Sequence, residues 1–345
     1  MDESTLLALL QKGAQHKASD VLLKVGQPPA FRVHGSLHYL QGDRLKPAQT
    51  QALAEIILRR SRYKEDIEDL QEYDTSYGAS GIGRYRVNIY RQRGTIAIAL
   101  RAIPLKVPSF EELRLPGAIQ QLAENERGMI LCVGAAGNGK STTLAAMVNH
   151  VNTTRRVHIV TIEDPIEYIH QDQLASVSQR EVGLDTPSFA KALRAALRQD
   201  PDCILVGEIR DEETMDIALK AAETGHLLLS TLHTPDVSRT IGRVLSLAGD
   251  GGQETRERFA DNLKGIVAQR LLPRADGQGR VVAVEVLVVT GTARETIRSP
   301  EGGLPLKDVM ERGVHPYGMQ TFEMALKDLV KNGLLSVETA RSAMG

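Results

Sequence analysis

The sequence predicts an α/β protein in two domains: an α+β domain over residues 1–105, then a P-loop α/β domain over residues 106–345. Three observations predict it. At 345 residues the chain exceeds the usual span of a single hydrophobic core. Beyond residue 106, short apolar runs alternate with helical stripes, the pattern of a largely parallel sheet covered by helices. Between the apolar run Met129-Ile130-Leu131-Cys132-Val133 and the helical Thr142-Thr143-Leu144-Ala145-Ala146-Met147 stands Gly134-Ala135-Ala136-Gly137-Asn138-Gly139-Lys140-Ser141, spaced GxxxxGK[ST].

Composition narrows the class. The chain is 42% hydrophobic and 25% charged, as soluble globular proteins are. Its net charge of −1 implies no bulk attraction to nucleic acid or anionic membrane. The two cysteines, Cys132 and Cys203, lie in apolar runs and read as reduced core residues, with no CxxC metal pair. No apolar run approaches the roughly 20 residues that span a bilayer. Met1-Asp2-Glu3-Ser4 does not resemble a signal peptide. Any membrane role is expected to come through a partner.

In the first domain, Leu6, Leu7, Leu9 and Leu10 begin an amphipathic helix. Residues 19–25 and 30–34 read as a hairpin about the turn Gly26-Gln27-Pro28-Pro29, and Gly35 leads into Ser36-Leu37-His38-Tyr39-Leu40. Pro47 opens a helix carrying Leu53, Ile56 and Ile57, with Arg59 and Arg60 at its C-terminal end. Alternation returns at Tyr85, Val87, Ile89 and at Ile96, Ile98, Leu100. Between Arg84 and Lys106 lie six basic residues (also Arg86, Arg91, Arg93 and Arg101) and no acid. They read either as a solvated strand face or as arginines that reach a phosphate, in this subunit or a neighbouring one.

Pro104-Leu105-Lys106-Val107-Pro108-Ser109 is the expected linker. After the P-loop come the strand His158-Ile159-Val160-Thr161-Ile162, ending at Glu163-Asp164-Pro165, and a helix striped by Phe189, Ala192, Leu193, Ala196 and Leu197. Arg194 and Arg198 project from another face of that helix, which Asp200-Pro201 ends. Cys203-Ile204-Leu205-Val206-Gly207-Glu208 is a strand delivering an acid to the sheet's C-terminal edge, where open α/β folds bind ligands.

The loop glycines Gly134, Gly137 and Gly139 let successive N–H groups face a phosphate, and the following helix aims its positive end there. Lys140 supplies a cation for the β/γ-phosphates and the Ser141 hydroxyl can ligate Mg²⁺. Ala135, Ala136, Asn138 and Thr142 complete the nucleotide-binding set. Glu208 can organise Mg²⁺ or polarise the attacking water. It could instead cap the next helix, but Asp211 already fits that position. Glu163 is a second acid at the same edge. His226 and His233 lie at opposite ends of one short apolar strand, too far apart to share a metal. One could sense the γ-phosphate while the other anchors the far end. Spacing alone favours structural roles for both.

Four segments in order carry a resemblance: Gly134 to Ser141, Thr161-Ile162-Glu163-Asp164-Pro165-Ile166-Glu167, Leu205-Val206-Gly207-Glu208-Ile209-Arg210-Asp211, and Thr224-Gly225-His226 through Leu232-His233-Thr234. Together they resemble the Walker A, Asp, Walker B and His boxes of the secretion-type hexameric ATPases, and within them the PilT-type retraction ATPases of type IV pili. Similarity extends to Ala268-Gln269-Arg270-Leu271-Leu272, Gly318-Met319-Gln320-Thr321-Phe322, Arg84-Tyr85-Arg86-Val87-Asn88 and Leu100-Arg101-Ala102-Ile103-Pro104. The resemblance implies a PAS-like N-terminal α+β domain followed by a RecA-like P-loop ATPase domain with a C-terminal helical region from about residue 290. It implies a homohexamer that hydrolyses ATP with Mg²⁺, cytoplasmic and peripheral at the inner membrane through a pilus platform protein, with no nucleic acid and no direct membrane insertion. It places Glu208, Glu163, Lys140 and His233 in catalysis. Arg86, Arg101 and His226 would contact nucleotide, with Arg84 a weaker candidate, and Ser141, Glu163 and Glu208 would hold the metal, the acids through water.

Two departures stand out. The family commonly reads GPTGSGKST, whereas Ala135, Ala136 and Asn138 replace its Pro, Thr and Ser. Its AIRNLIRE box appears as Thr292-Ala293-Arg294-Glu295-Thr296-Ile297-Arg298-Ser299, where only Arg294, Ile297 and Arg298 match. A pilus-assembly or type II secretion ATPase is the alternative, opposed by the short N-terminal region and the absent tetracysteine motif. A RecA-like DNA translocase is opposed by the net charge of −1 and by the absence of Trp with only five Phe.

Overall fold

The computed structural model describes residues 2–63, 66–104, 106–249, 252–301 and 304–344. It is a mixed α/β chain with two sheets, divided into two compact units. The first comprises Met1–Leu105 together with Pro165–Ile169 and Glu181–Asp185, and the second comprises the rest. The expected linker crosses this boundary, and its Leu105 lies outside the described residues. A single cut at residue 105 does not anticipate the two later segments that join the first unit.

The first unit contains α1 (Glu3–Gln15), β1 (Asp20–Lys24), β2 (Ala30–Val33), β3 (Ser36–Tyr39), α2 (Pro47–Leu58), β4 (Glu72–Ala79), β5 (Gly83–Gln92) and β6 (Thr95–Ala102). Its six-stranded antiparallel sheet runs β3-β2-β1-β6-β5-β4. Leu6 and Leu10 of α1 and Leu53 and Ile57 of α2 pack into one core with Val87, Ile89, Ile98 and Leu100. The alternation in β5 and β6 sends those four side chains to a single buried face.

The basic run is only partly a solvated face. Arg91 donates to the carbonyls of Leu70, Ile67 and Glu68. Arg84 donates to Ser76 Oγ at 2.7 Å and to Glu181 Oε2 at 2.9 Å, so its guanidinium is committed to a buried carboxylate rather than open to a phosphate. Arg86 and Arg101 are directly opposed across β5 and β6 and both are exposed. Arg101 Nε donates to Asp20 Oδ1 at 2.8 Å, and Arg32 sits 3.5 Å from the same carboxylate.

The second unit opens with α3 (Gly117–Ala123), β7 (Gly128–Val133), α4 (Lys140–Thr154), β8 (His158–Glu163), β9 (Ser176–Glu181), α5 (Phe189–Ala196), β10 (Cys203–Val206), α6 (Glu212–Glu223) and β11 (Leu227–Leu232). There follow α7 (Val237–Leu247), α8 (Gln253–Asn262), β12 (Leu263–Pro273), β13 (Arg280–Val288), α9 (Gly291–Arg298), α10 (Leu306–Arg312), α11 (Phe322–Lys331) and α12 (Val337–Met344). The seven-stranded sheet is ordered β13-β12-β7-β11-β10-β8-β9. From β12 to β8 the strands are parallel, and β13 is antiparallel to β12. Strands β7, β10 and β11 are buried along their whole length, as strands covered on both faces must be. Asp211 caps α6, its side chain accepting from Thr214 N, which leaves Glu208 free of that duty. No helix of the described residues is long and apolar enough to cross a membrane.

Candidate nucleotide site

The C-terminal ends of β7, β8, β10 and β11 meet at one edge of the second unit's sheet, and the site is built from the turns that leave them. The turn after β7 needs glycine for two different reasons. Gly134 has φ +144°, and a Cβ there would lie 2.5 Å from the Gln269 carbonyl oxygen, so β12 approaches too closely for any side chain. Gly137 (φ +77°) and Gly139 (φ +83°) have open space around them, and the left-handed backbone alone requires glycine there. Gly139 is the N-cap of α4, whose axis points its free N–H groups into the loop. Ala135, Ala136 and Ser141 are exposed, with Asn138 and Thr142 half-buried.

Lys140 is buried, and its Nζ donates to the loop carbonyls of Gly134 at 2.8 Å and Ala135 at 3.0 Å. Burial holds this ammonium below its usual range, an effect opposed by Cys132 and by the charge of Glu208. Its third neighbour is His233 Nδ1 at 3.5 Å. His233 Nε2 in turn lies 3.1 Å from Glu208 Oε1. An ammonium has no acceptor, so the geometry assigns His233 the tautomer in which Nδ1 accepts and Nε2–H donates to Glu208. On its other side Glu208 Oε2 receives Arg210 Nε and Nη2, each at 2.8 Å. A continuous chain therefore runs Lys140–His233–Glu208–Arg210.

Glu208 stands two residues beyond the end of β10, held by neighbouring backbone. Gly207 N donates to Ile162 O, Thr231 Oγ1 to Gly207 O, and Ile209 N to Thr231 O. Glu163 ends β8 and is 8% exposed, its Oε1 accepting from Thr161 Oγ1 at 2.6 Å and Gln179 Nε2 at 3.1 Å. Because Ile162 is the register partner of Val206, both acids leave the sheet at one place. Beside the loop a cavity of about 330 Å³ is lined by Leu115, Gly139, Thr142, Leu271, Arg280 and Val282, roomy enough for a nucleoside.

His226 is not brought to the loop. It precedes β11, its backbone oxygen accepts from Gly128 N at the start of β7, and its Nδ1 lies 2.9 Å from Ala221 O. That is the edge of the sheet opposite the P-loop, so within its own chain His226 anchors a strand end and does not reach the phosphate loop. Arg210 and Gln269 were missed as separate candidates. Arg210 stood inside a quoted box, and its position two residues after a strand-ending acid was the available signal.

The residues fit a nucleotide with Mg²⁺. Among the described residues no group of three or more His, Cys, Asp or Glu forms a metal cage. Mg²⁺ is commonly held by one or two protein oxygens and the substrate phosphates instead, and Ser141, exposed at the head of α4, together with acids that leave the same edge of the sheet, is that kind of donor set.

Comparison with known proteins places this geometry in a family. The profile of the family described as "Type II/IV secretion system protein" matches residues 105–302. The chain is 42% identical to the type IV pilus ATPase PilU of Pseudomonas aeruginosa over 98% of its own length and 87% of that protein. It is 41% identical to the type IV pilus retraction ATPase PilT of the same organism, over 99% of its length and 97% of that protein. The crystal structure of the pilus retraction motor PilT with bound ADP superposes with a TM-score of 0.85 at 41% identity, covering 98% of this chain and 96% of that one. The chain therefore belongs to the Type II/IV secretion system protein family, among its PilT-type twitching-motility ATPases.

Proposed function

We propose that this chain is an Mg²⁺-dependent ATPase working as a homohexameric motor in type IV pilus retraction. The Lys140–His233–Glu208 chain carries the enzymatic part of this reading, because it joins a phosphate-binding cation to a candidate base. Similarity to PilT over nearly the whole length supports the motor's task. In this reading residues 1–105 are a PAS-like domain and residues 106–345 a RecA-like ATPase domain, ending in a helical region from about residue 290. The protein is cytoplasmic and peripheral at the inner membrane through a pilus platform protein, without nucleic acid.

On nucleotide binding, Lys140 gives up the carbonyls of Gly134 and Ala135 for the β/γ-phosphates. Glu208, oriented by His233 Nε2–H, accepts a proton from the water that attacks the γ-phosphorus. The products are ADP and phosphate. Ser141, with Glu163 and Glu208 through water, would hold Mg²⁺, which neutralises the charge on the phosphates. The test is ATP turnover by the purified protein with Mg²⁺ and with EDTA, followed by deletion in the source organism. Surplus surface pili with lost twitching is the expected outcome. The 42% identity to PilU, named as a type IV pilus ATPase, favours a second reading, a type IV pilus ATPase with a task other than retraction, and unchanged pilus number on deletion would select it.

A further inference from the structure

We propose that Gln269 is a positioning residue for the phosphate-binding loop, with Asn138 as a second tie, so that strand β12 sets how tightly the chain holds a nucleotide phosphate. This rests on the nucleotide-binding reading above, adds Gln269 to it and gives Asn138 a tie to β12.

Gln269 is 1% exposed, and a buried side-chain amide must find partners. Its partners lie on either side of the loop. Cys132 Sγ donates to Oε1 at 2.8 Å, and Cys132 is the penultimate residue of β7, two positions before Gly134. Nε2 donates to Thr143 Oγ1 at 2.9 Å, and Thr143 lies in the first turn of α4, three positions after Lys140. One amide therefore spans the whole turn. Glutamine suits the place: glutamate would bury a charge, asparagine is a methylene shorter, and leucine bonds neither partner. Burial pushes the Cys132 thiol up to about 12, so it stays a neutral S–H donor.

The backbone adds two contacts. The Gln269 carbonyl oxygen occupies the space that a Gly134 Cβ would need. Two residues on, Leu271 N donates to Asn138 Oδ1 at 3.1 Å. The register explains why side chains take over here. The parallel ladder between β7 and β12 ends at the pair Val133–Ala268, immediately before the loop leaves the sheet. Beyond that pair Gln269 and Asn138 carry the attachment. β12 is a firm base for it, because Arg270, alternating to the other face, lies 4.2 Å over the Phe322 ring of α11.

The test uses the full chain and compares wild type with Gln269→Leu, Asn138→Ala and Lys140→Ala. The readouts are the ADP-induced rise in Tm and the KM and kcat for ATP. Loss of one or two hydrogen bonds predicts a KM roughly three- to tenfold higher and a smaller ADP-induced rise for Gln269→Leu and Asn138→Ala, with kcat of Gln269→Leu within about twofold of wild type. A Gln269→Leu protein with lowered Tm but wild-type KM and ADP response would reduce Gln269 to a core residue and overturn the proposal. Should that variant fail to fold, half-buried Asn138 decides alone, and an unchanged KM in Asn138→Ala is the overturning result. Lys140→Ala separates this inference from the reading beneath it. If wild type gains no stability from ADP, both fail together. If wild type responds, Lys140→Ala does not, and the Gln269 and Asn138 variants respond as wild type does, only this inference fails.

Discussion

Both oxygens of Glu208 are occupied, one facing His233 and the other Arg210. Glu208→Gln keeps the shape and removes the charge and basicity, so ATP should still bind while hydrolysis falls by roughly 10²–10⁴-fold, the usual worth of a positioned base. Lys140→Ala should instead lose nucleotide affinity, because the cradle remains without its cation. Equilibrium binding of a fluorescent nucleotide beside steady-state turnover separates the two variants, and unchanged turnover in Glu208→Gln would move the base to Glu163 or to neither. A second residue ties stability to pH. His170 is 8% exposed, its Nδ1 has no hydrogen-bond partner among the described residues, and burial drives its pKa from 6.5 to about 4. The folded state thus resists a proton that the unfolded chain accepts near pH 6.5. Its stabilising contribution is complete above that pH and is lost as pH falls from 6.5 towards 4, by about 3 kcal/mol at the lower end. The Tm of His170→Gln should fall less steeply than that of wild type across this window, and parallel slopes would refute the assignment.

The strand–turn–helix from β7 to α4 was fully legible, because glycine, lysine and serine at fixed spacing leave little other use for a turn. Strands β5 and β6 were legible through alternation, and β7 and β10 through unbroken apolar runs. Strand β4 was not: it lies at the sheet edge, with polar residues through most of its length. Strand β12 hid because α8 ends at Asn262 and the strand starts at Leu263, with no turn residue to mark the change. That omission concealed the reason for Gly134, which is the approach of Gln269. The contact between Lys140 and His233, 93 positions apart, was hidden by its sequence separation alone. The turn itself carries a graded prediction. Gly137→Ala meets open space and pays only for its left-handed backbone, about 1 kcal/mol. Gly134→Ala adds a collision with main chain that cannot swing aside, so roughly 2–4 kcal/mol is expected. Urea midpoints of the two variants check this order. Equal losses would mean that β12 moves away at little cost.

For the whole molecule, the informative feature is a row of charges across the first unit's sheet. Arg86 of β5 faces Arg101 of β6, Arg101 faces Asp20 of β1, and Asp20 faces Arg32 of β2. Like charges directly opposed on neighbouring strands destabilise a sheet. One aspartate serves Arg101 and Arg32, and among the described residues no carboxylate pairs with Arg86. An anion brought against this exposed face would relieve the repulsion, and planar guanidinium groups suit a phosphate. We propose that the anion is the nucleotide of a neighbouring copy, as arginine is supplied in trans to other P-loop enzymes. Head-to-tail contacts of that kind close into rings, and the family resemblance sets the number at six. Arg86→Ala and Arg101→Ala should then lower hydrolysis by at least tenfold while changing Tm little, since both side chains are exposed. Mixing either arginine variant with Lys140→Ala should restore part of the activity, because a mixed ring contains interfaces with one intact P-loop and one intact arginine donor. Native mass spectrometry establishes whether the rings are mixed. If mixed rings show no rescue, these arginines act within their own chain or only support the sheet.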